Sequence, residues 1–237
     1  MGIQYTPIHS KGSRNLENRY KNLHIYLYPN TSTSDVVVED GNTAHDGAKS
    51  LVNQLVEETD LEYGEVPVNY SHPDISVQAA EDMKADFGDW LDNQGVTWKG
   101  MHLLVSSGSA DGYADVPGGT SSCALKDRCH GALRMGPTPQ WAKNAVAHEC
   151  LHSIIDPTTN TTVAWTRSHS KNGDRQHDLG TVYGSAGDIS PMATSYSDHA
   201  KHGECGTNYI NIPGVYNQDL TSCTTGAVQA TIDKIEQ

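Results

Sequence analysis

The chain has 237 residues, of which 36% are hydrophobic and 19% charged, with 22 Gly and 10 Pro. That mixture suits one loop-rich globular core and rules out a disordered tract or a coiled coil. Twenty-nine acidic against 16 basic residues give a formal charge of −13, which argues against nucleic acid or an anionic membrane surface as partner. No apolar run approaches the roughly 18 residues that a membrane span requires.

Residues 22–28, NLHIYLY, alternate apolar and polar and predict a strand. Residues 43–58 carry Ala48, Leu51, Val52, Leu55 and Val56 at helical spacing behind Thr43 as N-cap. Residues 65–70 predict a short strand, which Pro67 assigns to an edge or a bulge. A second helix is expected over 76–93, with Val77, Ala80, Met83, Phe87, Trp90 and Leu91 inward. Residues 101–106 read as a buried strand, 107–128 as a loop and 129–135 as another strand. The third helix runs PQWAKNAVAHECLHSII from Pro139. Thr138 caps it, and it must end by Asp156 because Pro157 follows. Residues 157–225 are mostly turn formers, and a last helix is expected over 226–236. The alternation predicts an α+β or α/β fold, a mixed sheet with packed helices. It forms a single domain over 1–237, with lobes 1–153 and 154–237.

Cysteine spacing predicts two local disulfides, Cys123–Cys129 and Cys205–Cys223, with Cys150 left as a buried free thiol. Local staples belong to an oxidising compartment. Sequons at Asn30, Asn69 and Asn160 agree with secretion. The opening MGIQYTPIHS carries no signal-peptide pattern. The expectation is a secreted monomer whose partner is a protein or peptide substrate.

The third helix contains His148-Glu149-Cys150-Leu151-His152, an HExxH pattern. Residues i and i+4 share a helix face, so both imidazoles can reach one metal. Glu149 is turned by about 100° from that face and can act as general base on a water beside the metal. Ala142, Ala145, Val146, Ala147, Leu151 and Ile154 make the rest of this helix apolar. Buried imidazoles in such a setting must pair or bind.

On these residues the chain resembles the zincin metallopeptidases, and within them the metzincins, whose pattern is HExxHxxGxxH followed by a Met-containing turn. Ser190-Pro191-Met192-Ala193-Thr194-Ser195-Tyr196 is similar to that turn. The family's Gly and third His would fall at Ile155 and Thr158, and neither is present. His177, followed by Asp178 and 15 residues before Met192, takes the third-ligand place, similar to the adamalysin-like branch. Residues 153–176 would then be an insertion of the kind that the leishmanolysin-like branch carries. Asp178, which would point to the aspzincins, Asp156 and His169 remain alternatives. Tyr183 and Tyr196 are candidates for oxyanion stabilisation.

The resemblance implies one catalytic Zn2+ held by His148, His152 and His177, with Glu149 catalytic and a secreted endopeptidase as the function. Residues 131–135 stand where zincins place the edge strand that pairs with substrate. A non-catalytic binding protein with a structural zinc, or a zinc hydrolase of non-peptide amides, are the alternatives. The Asp111–Asp115 cluster is a weaker candidate for calcium, without EF-hand spacing. His199 and His202 near Glu204 are a further metal candidate.

Overall fold

The computed structural model describes residues 5–31, 43–69, 71–109, 111–115, 123–136, 138–156, 176, 179–180, 182–183, 188–192 and 215–236. The main sheet has six strands: β1 (Tyr5–Gly12), β2 (Asn22–Pro29), β3 (Tyr63–Asn69), β4 (Gly100–Ser106), β5 (Asp111–Ala114) and β6 (Arg128–Arg134), in the order β1-β3-β2-β4-β6-β5. The four central strands run parallel. The two outer strands, β1 against β3 and β5 against β6, are antiparallel. A fully parallel centre needs helices on both faces, and the chain supplies them.

Leu23, Ile25 and Leu27 of β2 and Met101, Leu103 and Val105 of β4 point to one face. That face is covered by α1 (Thr43–Glu58), α4 (Pro139–Ile154) and α5 (Ser222–Ile235). Tyr26 and Tyr28, on alternate positions of β2, point to the other face, with Leu104 and Ala132. Met83, Phe87 and Leu91 of α2 (Ala80–Asn93) cover them. The ring of Phe87 stands edge-on to Tyr28 at 5.0 Å, a favoured aromatic geometry.

Helix α4 is buried on nearly every side, through Ala142, Ala145, Val146, Ala147, Cys150, Leu151 and Ile154. Thr138 caps it by accepting from the Trp141 amide at 3.2 Å, and Pro139 occupies its first turn. Gly47 lets α1 cross it closely. A Cβ at Gly47 would lie 2.6 Å from the carbonyl oxygen of Lys143. The crossing is tied by Lys143 to Asp46 at 2.6 Å.

Several expectations are corrected. β3 is not an edge, because β1 pairs outside it; the bulge between Pro7 and His9 falls where Pro67 faces Pro7. α2 starts at Ala80, leaving Val77 47% exposed. The presumed loop 107–128 contains β5 and the short helix α3 (Cys123–Lys126). α5 begins at Ser222, four residues earlier than its spacing predicts, because Thr221 caps it by accepting from the Thr224 amide. A small second sheet joins β7 (Val182–Tyr183), β8 (Asp188–Ile189) and β9 (Val215–Tyr216).

Asn30 and Asn69 are 1% and 0% exposed, so neither sequon can carry a glycan. The Asn30 amide instead donates to the Ile75 carbonyl at 2.8 Å and to Ser106 Oγ at 3.2 Å; Asn160 lies outside the described residues. Cys150 is free and buried. Neither Cys129 nor Cys223 is a free thiol. No bridge joins two described side chains, because the side chain of Cys123 and all of Cys205 lie outside them. The partners expected for Cys129 and Cys223, namely Cys123 and Cys205, thus fall outside the described side chains. No helix among the described residues is long and apolar enough to cross a membrane.

Candidate active site

His148 and His152 lie one turn apart on α4, near its C-terminal end. Their rings are nearly perpendicular, at 88° with centroids 4.5 Å apart. The two Nε2 atoms face one another at 2.9 Å. Each Nδ1 is occupied elsewhere: that of His148 meets the Pro191 carbonyl oxygen at 2.6 Å, and that of His152 meets Gln176 Oε1 at 2.6 Å. The orientation of the Gln176 amide is set by its own nitrogen, which donates to the carbonyls of His152 at 3.2 Å and Ile155 at 2.9 Å.

This decides the tautomers. A carbonyl oxygen only accepts, so both Nδ1 atoms carry hydrogen. In the neutral rings both Nε2 atoms then present lone pairs toward one another. Two acceptors at 2.9 Å repel, and a cation that both can ligate removes the conflict. The donor set therefore fits a borderline-soft divalent metal such as zinc.

Glu149 projects from α4 toward β5 and is 6% exposed. A Cβ at Gly112 would be 2.3 Å from its Oε1. Burial, and then the charge of Asp111, pushes its carboxyl up to about 8. Asp111 is itself anchored: its Oδ2 accepts from Arg134 at 2.8 Å and from the Ala80 amide at the start of α2 at 2.8 Å. One carboxylate thus ties β5, β6 and α2 together behind Glu149.

Of the expected ligands His148, His152 and His177, the described residues include the first two. Among the described residues no group of three or more His, Cys, Asp or Glu side chains could hold a metal ion. Asp156 does not extend the histidine row, because α4 ends at Ile154, Ile155 is extended and the Asp156 amide donates to Thr231 Oγ1 of α5 at 3.1 Å. Glu149 does not join the two histidines either. His177, Asp178, His169, Tyr196, His199 and His202 lie outside the described residues, as does the Tyr183 side chain.

The residues beside His177 and Asp178 are firmly held. Gln176 is 6% exposed and bound to the end of α4, as above. Leu179 is fully buried, with its carbonyl accepting from Thr221 and Thr224. Met192 is fully buried in the core shared with α4, and the preceding carbonyl, Pro191, is the one that receives His148.

Two further expectations change. The strand over 131–135 is not the edge, since β6 lies between β4 and β5, and the sheet ends at β5 beside Glu149. In the Asp111–Asp115 cluster both carboxylates are engaged by protein groups. Asp111 is bound as described, and Asp115 pairs with Lys84 at 2.5 Å and His130 at 3.0 Å. Gln176, Gly112 and the Pro191 carbonyl were missed from the sequence. Gln176 adjoins His177, but nothing in its residue type marks a histidine partner. No family model matches the chain, and no curated protein matches it.

Proposed function

We propose that the protein is a secreted zinc-dependent endopeptidase. The observation that carries this reading is the pair of facing Nε2 atoms, 2.9 Å apart, with a buried carboxylate on the intervening turn. His148 and His152 would hold the metal, and His177, next to the anchored Gln176, is the third ligand of the proposal. Zinc at that site supplies Lewis-acid polarisation of the scissile carbonyl and acidifies a water.

The remaining work falls to the chain. Beside a bound cation, which would favour the carboxylate and oppose the upward shift from burial, Glu149 would take a proton from the attacking water on a carboxylate oxygen and return it to the leaving amine nitrogen. Packing against Gly112 restricts where that carboxylate can lie, so the proton acceptor is pre-positioned. The Nδ1–H bonds to Pro191 and Gln176 hold each imidazole with Nε2 inward. β5, the sheet edge beside Glu149, offers backbone groups to an extended peptide, which would bind it as an added strand. Secretion is part of the proposal because neither Cys129 nor Cys223 is a free thiol.

The test is zinc stoichiometry and casein hydrolysis in three proteins. The parent should bind one zinc and cleave casein. Glu149→Gln should keep the zinc and lose about 100-fold or more of the activity, and His152→Ala should lose both. Zinc loss in Glu149→Gln would make it a ligand instead of a base. A zinc-loaded parent inert toward casein would remove the peptidase reading.

A further inference from the structure

On the sheet face opposite α4, at the N-terminal ends of β2 and β4, lies a half-open cavity of about 550 Å³. Its volume falls within the range of small-ligand sites. Four of its eight lining residues are rings, Tyr20, His24, Tyr26 and Trp98. The other four are charged: Glu17, Arg19, Lys99 and Lys126. No aliphatic side chain lines it, which leaves nothing to hold a lipid tail.

The ring wall is rigid. Tyr26 stacks between His24, at 6.0 Å and 16°, and His102, at 4.5 Å and 18°. His102 is fully buried and meets the Tyr28 hydroxyl at 2.7 Å and the Trp98 carbonyl at 3.0 Å, which fixes the backbone of Trp98. Trp98 leans toward Tyr26 with centroids 6.4 Å apart, yet it remains 41% exposed, as does Tyr20. Two part-exposed aromatic rings at one cavity leave ring surface available to the apolar face of a ligand.

The charges divide by role. Lys99 is a strut: its ammonium donates to the carbonyls of Arg19, Asn22 and Leu125, closing the floor. Lys126 lies over the Tyr20 ring at 5.7 Å. Among the described residues neither Lys126 nor Arg19 forms an ion pair with a carboxylate. On a chain of net charge −13, two cations without an acid partner, beside a ring wall, form a local anion-attracting spot. Glu17 would repel an anion that carried charge throughout, but it accepts hydroxyl hydrogens.

We infer that this cavity binds an acidic saccharide. A uronic acid ring would lie against Trp98, with its carboxylate at Arg19 and Lys126 and a ring hydroxyl donating to Glu17. An aromatic acid would satisfy the rings and the cations but would leave Glu17 without a donor. The site is separate from the proposed peptidase centre and does not depend on it.

Isothermal titration of the full chain with tetragalacturonate tests the inference, with a neutral cellotetraose and benzoate as comparison probes. Saturable binding of tetragalacturonate is expected. Arg19→Gln and Trp98→Ala should each weaken it about tenfold or more, with circular dichroism showing both variants folded. Cellotetraose should bind at least tenfold more weakly. Absence of saturable tetragalacturonate binding would overturn the inference, as would equal binding by both folded variants. Equal affinity for cellotetraose would remove the anionic requirement, and tighter binding of benzoate would replace the saccharide by an aromatic acid; either result overturns the assignment. Should one variant fail to fold, Lys126→Gln replaces it under the same criterion.

Discussion

Glu149 Oε1 occupies the place where a side chain at position 112 would begin, since a Cβ on Gly112 would lie only 2.3 Å from it. The strand β5 therefore needs glycine at that register, opposite Leu133 of β6, for the carboxylate to reach its position. Gly112→Ala should displace the end of a flexible side chain, so the fold should lose little, within about 1 kcal/mol. Under the proposed function, casein hydrolysis by the zinc-loaded variant should fall about tenfold or more, because the base is moved. Unchanged turnover with unchanged melting would show that Glu149 has room to spare.

Gln176 holds His152 through a 2.6 Å contact to Nδ1. Partners of this kind contribute about 10- to 100-fold to metal affinity. Gln176→Ala should lower zinc affinity by that order in a competitive chelator titration, while far-ultraviolet circular dichroism stays the same. An affinity within twofold of the parent would show that His152 orients without it.

Cys150 faces the core from α4 and is fully buried. Burial, followed by the charge of neighbouring Glu149, pushes its thiol far above the ordinary cysteine range. Iodoacetamide at pH 8 should leave it unmodified in the folded protein and alkylate it in guanidinium, as read by peptide mass. Rapid labelling of the native chain would mean that α4 opens readily.

Glu65 on β3 is a second buried carboxylate with an opposite shift. Burial by itself would raise it, but His24 at 2.7 Å, the Tyr63 hydroxyl at 2.5 Å and the Arg14 charge hold it at about 2, against an ordinary 4.5. The unfolded chain therefore takes up this proton first as pH falls. The stability Glu65 contributes is complete above pH 4.5 and is lost as pH drops toward 2, with an upper size of about 3 kcal/mol. The stability gap between the parent and Glu65→Gln, measured by urea unfolding, should narrow across that window. A gap that widens toward acid would reverse the assignment.

Asn144, 5% exposed on α4, donates from Nδ2 to the carbonyls of Ile189 at 2.9 Å and Asn217 at 2.8 Å. One side chain thus holds β8 and the residue after β9 to the central helix. Asn144→Ala removes both bonds; the Ile189 carbonyl keeps the Asn217 amide at 3.0 Å, while the part-buried Asn217 carbonyl loses its donor, so the change should cost about 1–2 kcal/mol in urea unfolding. A loss under 0.5 kcal/mol, read against that range, would show that other groups take over the acceptors.

Helix α4 was legible residue by residue, from the Thr138 cap and Pro139 through His148, Glu149 and His152 to its end before Pro157. So were α1 and the central strands β2 and β4. Their signals are local: a cap, a spacing of 3.6 or 2, or a proline stop, each carried by residues adjacent in the chain. β1 and β5 were not legible. The first contains Pro7 and ends in Lys11-Gly12, and the second is four residues, Asp-Gly-Tyr-Ala, inside a loop-like stretch. Both owe their strand conformation to pairing with a neighbour, an energy that no local pattern displays.

The sequence by itself determined that two imidazoles and a carboxylate share one buried helix, because helix spacing converts positions into directions. Tertiary structure alone decided what those groups meet. It brought the Pro191 carbonyl and Gln176 to the two Nδ1 atoms, and Gly112 to Glu149. It also buried Asn30 and Asn69, whose sequons read as surface signals. The physical reason is the same in each case. A backbone carbonyl has no residue signature, the absence of a Cβ is read only against what fills the space, and burial depends on chain segments far apart in the sequence.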